Sequence, residues 1–200
     1  QQDLQLLQFV SAQVAAAIER TRNRNWLAFL ASHDSLTGLP NRSHFHQQLQ
    51  RALNATDGER NPIALIYIDL DGFKGVNDRH GHEMGDRLLQ AVAERIRNGV
   101  RHSDTIARLG GDEFVVMLNG TSRAADAVNV GESLRKALSH PFQLDDHAIR
   151  ISASIGIALH RDDGDRGNGL LQEADKAMYA AKRGGGNRFV LFPFDEPWTV

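Results

Sequence analysis

"ARLGGDEFVV", Ala107–Val116, sets two glycines and then two adjacent carboxylates between β-prone residues. Gly-Gly is a hairpin-turn dipeptide, so the stretch predicts two antiparallel strands meeting at Gly110–Gly111. Asp112 and Glu113 come directly after that turn. Neighbouring carboxylates repel one another and lose hydration if buried, so something positive has to compensate them. The plainer alternative is a pair of solvated acids on a hairpin rim, and the rest of the chain has to decide.

Working upstream, "IALIYIDLD" (Ile63–Asp71) is an unbroken apolar run ending in acids, which suits a central strand buried on both faces. Between it and the hairpin, "GHEMGDRLLQAVAERIRNGV" carries Leu88, Leu89, Val92 and Ile96 at helical spacing, so a loop through Asn77 leads into a helix. Further upstream, "HDSLTGLPNR" is a turn, a helix follows from about Ser43 to Leu53, and "NATDGERNP" is a plain loop. Downstream, "AADAVNVGESLRKALSH" reads as a helix and "HAIRISASIGIAL" as a strand pair or one long strand. "GLLQEADKAMYAAKRGGGN" then reads as a helix, and "RFVLF" as a short strand. Helices alternating with strands around an antiparallel hairpin predict an α+β sandwich, a mainly antiparallel sheet flanked by helices, over about residues 33–192. Residues 1–32, rich in Gln, Ala, Glu and Arg and free of Pro and Gly, predict one long helix. Its narrow stripe of Leu4, Leu7, Val14 and Ile18 suits a coiled coil, the last helix of a preceding domain, or packing on its own domain. Residues 193–200 read as a tail.

The bulk properties narrow the function. A hydrophobic fraction of 41% supports a real core, and a formal charge of −2 gives no general ground for nucleic-acid or membrane-surface binding. Without cysteine there are no disulfides or thiolate metal sites. No apolar run approaches the ~20 residues of a membrane-spanning helix. The expectation is a cytoplasmic piece of a longer protein, itself soluble or membrane-tethered elsewhere.

Two carboxylate sites then stand out: Asp69 at a buried strand end, and Asp112 with Glu113 at the hairpin tip. A strand end beside a hairpin can bring such acids together, and hard oxygen ligands so arranged suit Mg²⁺ with room for phosphate oxygens. Gly72 permits close backbone approach, the N–H groups of Gly72 and Phe73 can cradle phosphates, and Lys74 offers a point charge. Asp86 can accept from the ring N–H and amino group of guanine, and Asn77 can donate to its O6 or N7. Taken singly, each of these residues also reads as a cap, a turn residue or a solvated charge. No GxxxxGK[ST] loop is present.

In their order these words resemble the GGDEF family, the diguanylate cyclases: "DSLTGLPNR", "IDLDGFKGVNDRHGHEMGD", "RHSD", "GGDEF", "SASIGIA" and "ADKAMYAAK" followed by "GN". The resemblance covers nearly all of residues 33–192 and implies a fold akin to nucleotide-cyclase and polymerase palm domains. It implies Mg²⁺ (or Mn²⁺) held by Asp69, the Leu70 carbonyl, Asp112 and Glu113, with Asp112 also the base for a 3′-hydroxyl. It implies phosphate contacts from Phe73, Lys74 and Lys182, and guanine and sugar contacts from Asn77, His82 and Asp86. Two GTP molecules, one per subunit of a homodimer, would give cyclic di-GMP and two pyrophosphates. Arg101 and Asp104 of "RHSD" match the family's RxxD product-inhibition site. Asp71 is left as structural.

One position departs from the family's G-R-N: Gly186 stands where an arginine is expected near the phosphates. The rival reading is therefore a weak or inactive module that binds GTP or cyclic di-GMP and regulates a neighbouring domain, such as a phosphodiesterase. Use of ATP is opposed by Asp86, which would face adenine's acceptor N1. Residues 1–24 weakly resemble the closing helix of a GAF-type sensory domain.

Overall fold

Strand β1 (Ile63–Asp71) is the axis of the molecule, and its first eight residues are all buried. Successive side chains of a strand point to opposite faces, and here both faces are covered. Ala64, Ile66, Ile68 and Leu70 enter one core, and Ile63, Leu65 and Tyr67 enter a second. This is the computed structural model of residues 2–54, 62–121, 123–160 and 169–193, with only the backbone described for residues 2–12 and Asn25. The predicted loop at 55–61 and most of the predicted tail fall outside the described residues, as do the side chains of Leu4 and Leu7.

The chain runs α1 (Gln2–Ser32), α2 (Arg42–Leu53), β1, α3 (Phe73–His80), α4 (His82–Asn98), β2 (Thr105–Gly110), β3 (Glu113–Asn119), α5 (Ala124–Ser139), β4 (Phe142–Leu144), β5 (His147–Ile149), β6 (Ser152–Leu159), α6 (Leu170–Arg183) and β7 (Arg188–Leu191). The main sheet has the order β2-β3-β1-β6-β7. β1 pairs antiparallel with both β3 and β6, β2 pairs antiparallel with β3, and only β7 runs parallel to its neighbour β6. The expected antiparallel hairpin and α+β sandwich are therefore present.

Leu88, Leu89, Val92 and Ile96 of α4 and Leu134 and Leu138 of α5 cover one face of the sheet. Phe45 and Leu49 of α2 and Leu170, Ala174 and Met178 of α6 cover the other. Full burial of each large apolar side chain stabilises by roughly 1.5–3 kcal/mol. Gly156 on β6 sets how close α6 lies: a Cβ there would stand 2.0 Å from the Ala174 carbonyl oxygen and 2.2 Å from the Met178 nitrogen. Helix α6 thus rests backbone to backbone on the strand.

Two expectations need correction. The segment from Phe73 to His80 is helix α3 and not a loop; bounded by Gly72 and Gly81, it buries only Val76, so it carries no apolar periodicity to read. Residues 147–159 are neither one strand nor a self-paired hairpin. β5 pairs back onto β4 through a turn in which Asp145 takes φ +50°, forming a separate two-stranded sheet, and β6 starts afresh at Ser152.

Candidate active site

The end of β1 and the tip of the β2–β3 hairpin form one surface. Asp69 stands opposite Glu113 on β3 and opposite Ser154 on β6. The N–H of Leu70 donates to the Asp112 carbonyl at 3.3 Å. Gly110 (φ +146°) and Gly111 (φ +51°) take backbone angles that side chains disfavour, and the pairing slips between Arg108 and Gly110. Asp112 is left outside the ladder at the strand end, while Glu113 stays paired with Asp69 and Gly110.

Asp69 is 6% exposed, and its Oδ1 accepts from the Lys182 ammonium at 2.7 Å. Burial pushes the Asp69 carboxyl above its usual range. The Lys182 hydrogen bond opposes that push, and the charges of Asp112 and Asp71 add to it. Lys182 is held above its ordinary value, first by its hydrogen bond to Asp69 and then, against its own burial, by the charges of Asp69, Asp112 and Asp71. Three carboxylates therefore act on one ammonium. Of the two adjacent acids of the turn, Asp112 is compensated by Lys182, brought in by the close packing of α6.

Glu113 leans the other way, 3.5 Å from the Arg42 guanidinium, whose Nε donates to the Leu109 carbonyl at 3.2 Å. Beneath it, burial and then the charges of Glu113 and Asp175 push the Tyr67 hydroxyl well above its ordinary range. Among the described residues no group of three or more His, Asp or Glu side chains converges to hold a metal. The expected set of Asp69, Leu70, Asp112 and Glu113 is adjacent but not convergent, because Lys182 and Arg42 draw its members apart. The donor set still fits a hard divalent cation. Four carboxylates (Asp69, Asp71, Asp112, Glu113) face two cations, and Asp69 is buried at a cost that positive charge relieves.

Asp71 is occupied by the scaffold. It accepts from Ser152 Oγ at 2.8 Å, Ser154 Oγ at 2.7 Å and the Asn187 N–H at 2.9 Å. Asn187, at φ +48°, is tied in turn to Arg135 at 2.8 Å and Ser139 at 3.0 Å. Gly186 sits between these anchors at φ +72°, where a Cβ would lie 2.9 Å from Asp71 Oδ2.

The other wall is the α3–α4 pair. Gly72, at φ +82°, starts α3 with no side-chain cap on its first-turn N–H groups, which include those of Phe73 and Lys74. Gly85 lets α3 approach α4: a Cβ there would stand 1.9 Å from Asn77 Oδ1. That oxygen is the only buried side-chain polar atom without a partner among the described residues. With the oxygen turned inward, the amide N–H₂ is the end left for a ligand. Lys74, His82 and Asp86 are exposed on the same pair of helices.

The family model described as "Diguanylate cyclase, GGDEF domain" matches residues 31–188. The chain belongs to the GGDEF family. Over 176 residues this GGDEF domain is 48% identical to the bifunctional diguanylate cyclase/cyclic di-GMP phosphodiesterase MucR of Pseudomonas aeruginosa, covering 88% of the chain but only 26% of MucR. The solved GGDEF domain of TpbB from Pseudomonas aeruginosa superposes with TM-score 0.76 at 43% identity, covering 82% of this chain and 95% of that one. The coiled coil and GGDEF domain of DgcB from Caulobacter crescentus, solved with c-di-GMP, superposes with TM-score 0.78 at 32% identity, covering 92% and 98%. No described helix is long and apolar enough to cross a membrane.

In this GGDEF domain the RxxD pair lies away from the acids, between α4 and β2. Both oxygens of Asp104 already hold backbone N–H groups, that of Arg101 at 2.9 Å and that of Asn119 at 3.3 Å. Each oxygen keeps a second lone pair. Arg101 is exposed.

Sequence reasoning missed the support behind the GGDEF turn. Arg108 donates to Asp34 at 2.9 Å and twice to the Gly111 carbonyl, at 3.0 and 2.7 Å. Burial pushes Asp34 up, but hydrogen bonds from Thr37 and Arg108 outweigh it and hold the carboxyl below its usual range. The "DSLTGLPNR" turn therefore braces "GGDEF" from outside. Its signal in the sequence is a lone arginine two residues ahead of the glycines, which by itself points nowhere.

Proposed function

We propose that this GGDEF domain is an active diguanylate cyclase that condenses two GTP into cyclic di-GMP and two pyrophosphates, each subunit of a homodimer presenting one GTP. The observation that carries the reading is Asp69. It is a buried carboxylate hydrogen-bonded to Lys182, in the field of Asp112 and Asp71, on a strand end joined to the GGDEF turn.

Asp69, Asp112, Glu113 and the Leu70 carbonyl would hold Mg²⁺ or Mn²⁺. When bound, the ion neutralises charge building on the phosphate and acidifies the attacking hydroxyl. Asn77, His82 and Asp86 orient guanine and sugar. The Phe73 N–H, Lys74 and Lys182 bind the triphosphate, and Asp112 accepts the proton of the 3′-hydroxyl. The new bond joins that 3′-oxygen to the partner nucleotide's α-phosphorus, the α–β bridging bond breaks, and pyrophosphate leaves. Two such transfers close the ring. Catalysis is then mostly positioning and electrostatics.

Support for the dimer comes from α1, whose Val14, Ile18, Trp26, Leu27 and Leu30 are exposed on a single chain. Pairing of two such helices would bring the half-sites face to face. Product inhibition at Arg101 and Asp104, the boundaries 1–32, 33–192 and 193–200, and a cytoplasmic site of action belong to the same proposal. The test is conversion of GTP by this chain with Mg²⁺ or Mn²⁺, with and without a fused dimerising coil. No cyclic di-GMP from the forced dimer at saturating GTP refutes it.

A second reading is favoured by Gly186. With no side chain beside Asp71, the phosphate end lacks one cation, which suits a module that binds nucleotide and regulates a neighbour. Tight GTP or cyclic di-GMP binding without turnover would select it.

A further inference from the structure

Helix α3 has two working faces. Phe73 and Asn77 lie toward Gly85 of α4, while Gly75, Val76 and Arg79 lie round the helix from them. That side forms an open depression of about 370 Å³ against the β5–β6 connection. Its lining is Gly72, Gly75, Val76, Arg79, His80, Ala148, Ile149 and Arg150. The volume falls in the range in which proteins hold small ligands.

The lining has a definite chemistry. It contains two guanidinium groups and an imidazole and no acid. Neither the Arg79 nor the Arg150 side chain has a hydrogen bond or ion pair among the described residues. Asp145, in the β4–β5 turn, is paired to Arg87. Two unpaired arginines on facing elements are therefore retained in a chain whose formal charge is −2. Arginine forks match phosphate oxygens two at a time. The floor is apolar, from Val76, Ala148 and Ile149, and the His80 ring is held edge-on by His147 at 5.4 Å.

We propose that this depression binds a small phosphate-bearing ligand, its phosphate gripped by Arg79 and Arg150 and its remainder lying on Val76, Ala148 and Ile149. The site shares only Gly72 with the proposed GTP cleft and none of its lining with the Arg101–Asp104 pair. A ligand there would press on the back of the helix that carries Lys74 and Asn77.

Calorimetric titration of the whole chain tests this, with AMP, inorganic phosphate and adenosine as probes. A phosphate-bearing probe is expected to bind at one site and adenosine at least tenfold more weakly. The Arg79→Ala/Arg150→Ala double variant should lose at least tenfold in that affinity, and Asp86→Ala should keep it. Both arginines are exposed, so circular dichroism of the double variant should match the parent. Arg79→Lys/Arg150→Lys, which keeps the charge but not the forks, should fall between them. AMP binding tighter than phosphate assigns a nucleotide, and equal binding assigns free phosphate. Failure of both probes to bind, undiminished binding to the double variant, or loss of binding in Asp86→Ala overturns the site. None of these readings depends on turnover, so an inactive cyclase would leave the answer intact.

Discussion

The Lys182 ammonium and the Asp69 carboxylate, 113 residues apart in the chain, meet at 2.7 Å at the end of the central strand. The bond is asymmetric: Lys182 gains from it, whereas burial still leaves Asp69 easier to protonate than an ordinary carboxylate.

A pH dependence follows from that asymmetry. Asp69 must be ionised to hold a cation, and its raised pKa means that it takes up a proton earlier as pH falls. Metal affinity should therefore decline on acidification from above the ordinary carboxylate value of 3.8, by about tenfold per pH unit once below the shifted pKa. Titration of Mn²⁺ binding against pH checks this. For the fold the sign is opposite. A carboxylate with a raised pKa favours the folded state below that pKa and loses this contribution as pH rises through it. Asp69→Asn should thus abolish turnover, by on the order of a hundredfold or more, without a matching fall in Tm.

Gly156→Ala should act at a distance. Its new methyl meets the backbone of α6, which cannot yield as a side chain would. Overpacking of this kind costs about 1–3 kcal/mol or more. Because α6 carries Lys182, GTP turnover should fall with stability. A variant with unchanged Tm and unchanged kcat would show that α6 is not seated on this glycine.

The brace behind the turn can be cut at Asp34. Its depressed pKa contributes stability present above the ordinary carboxylate range and lost as pH falls through the folded value. Asp34→Ala should remove about 2 kcal/mol, from hydrogen bonds to a charged group. It should also flatten the acid limb of stability against pH, read by urea melts at several pH values.

The two members of the RxxD pair should separate. Arg101→Ala should relieve inhibition by cyclic di-GMP and leave the melting temperature unchanged, since Arg101 is exposed. Asp104→Ala should relieve inhibition too, but also cost about 1–2 kcal/mol, because its oxygens hold two backbone N–H groups. Equal effects of both variants on Tm would contradict this division.

Gly186→Arg is expected to trade stability for affinity. The backbone there is left-handed and the new Cβ would crowd Asp71, costing about 1–2 kcal/mol. A restored phosphate contact, worth roughly 1.5–3 kcal/mol, should lower the KM for GTP about tenfold or more. Thermal melts and initial rates give the two halves separately.

Much of this was legible in the residues. The apolar run at 63–71 suited a strand buried on both faces, and the Gly-Gly turn marked the β2–β3 hairpin. The acids of β1 and the hairpin were readable because each lies at the end of a strand with an unambiguous pattern. Helix α3 was not, since eight residues with one buried side chain leave no periodicity. Nor was β4, a strand of three residues onto which β5 folds back. The partners of the acids were hidden for another reason. That Lys182 reaches Asp69, that Arg42 draws Glu113, and that Asp71 gathers two serines and the Asn187 backbone depend on how closely α6 and the loops approach the sheet, which no spacing along the chain encodes.

Asn41 deserves a last consequence. Its amide nitrogen donates to the Leu30 and Ala31 carbonyls at the end of α1, its backbone N–H donates to Ser32, and its oxygen caps α2 by accepting from His44. One side chain thus clasps the last turn of one helix to the first turn of the next. At 1.5 Å per residue α1 is a rod about 45 Å long, welded at its base with no slack linker. A twist applied at its N-terminal end would arrive as a turn of the whole body, and so, in the proposed dimer, as a change in the angle at which two nucleotides face each other.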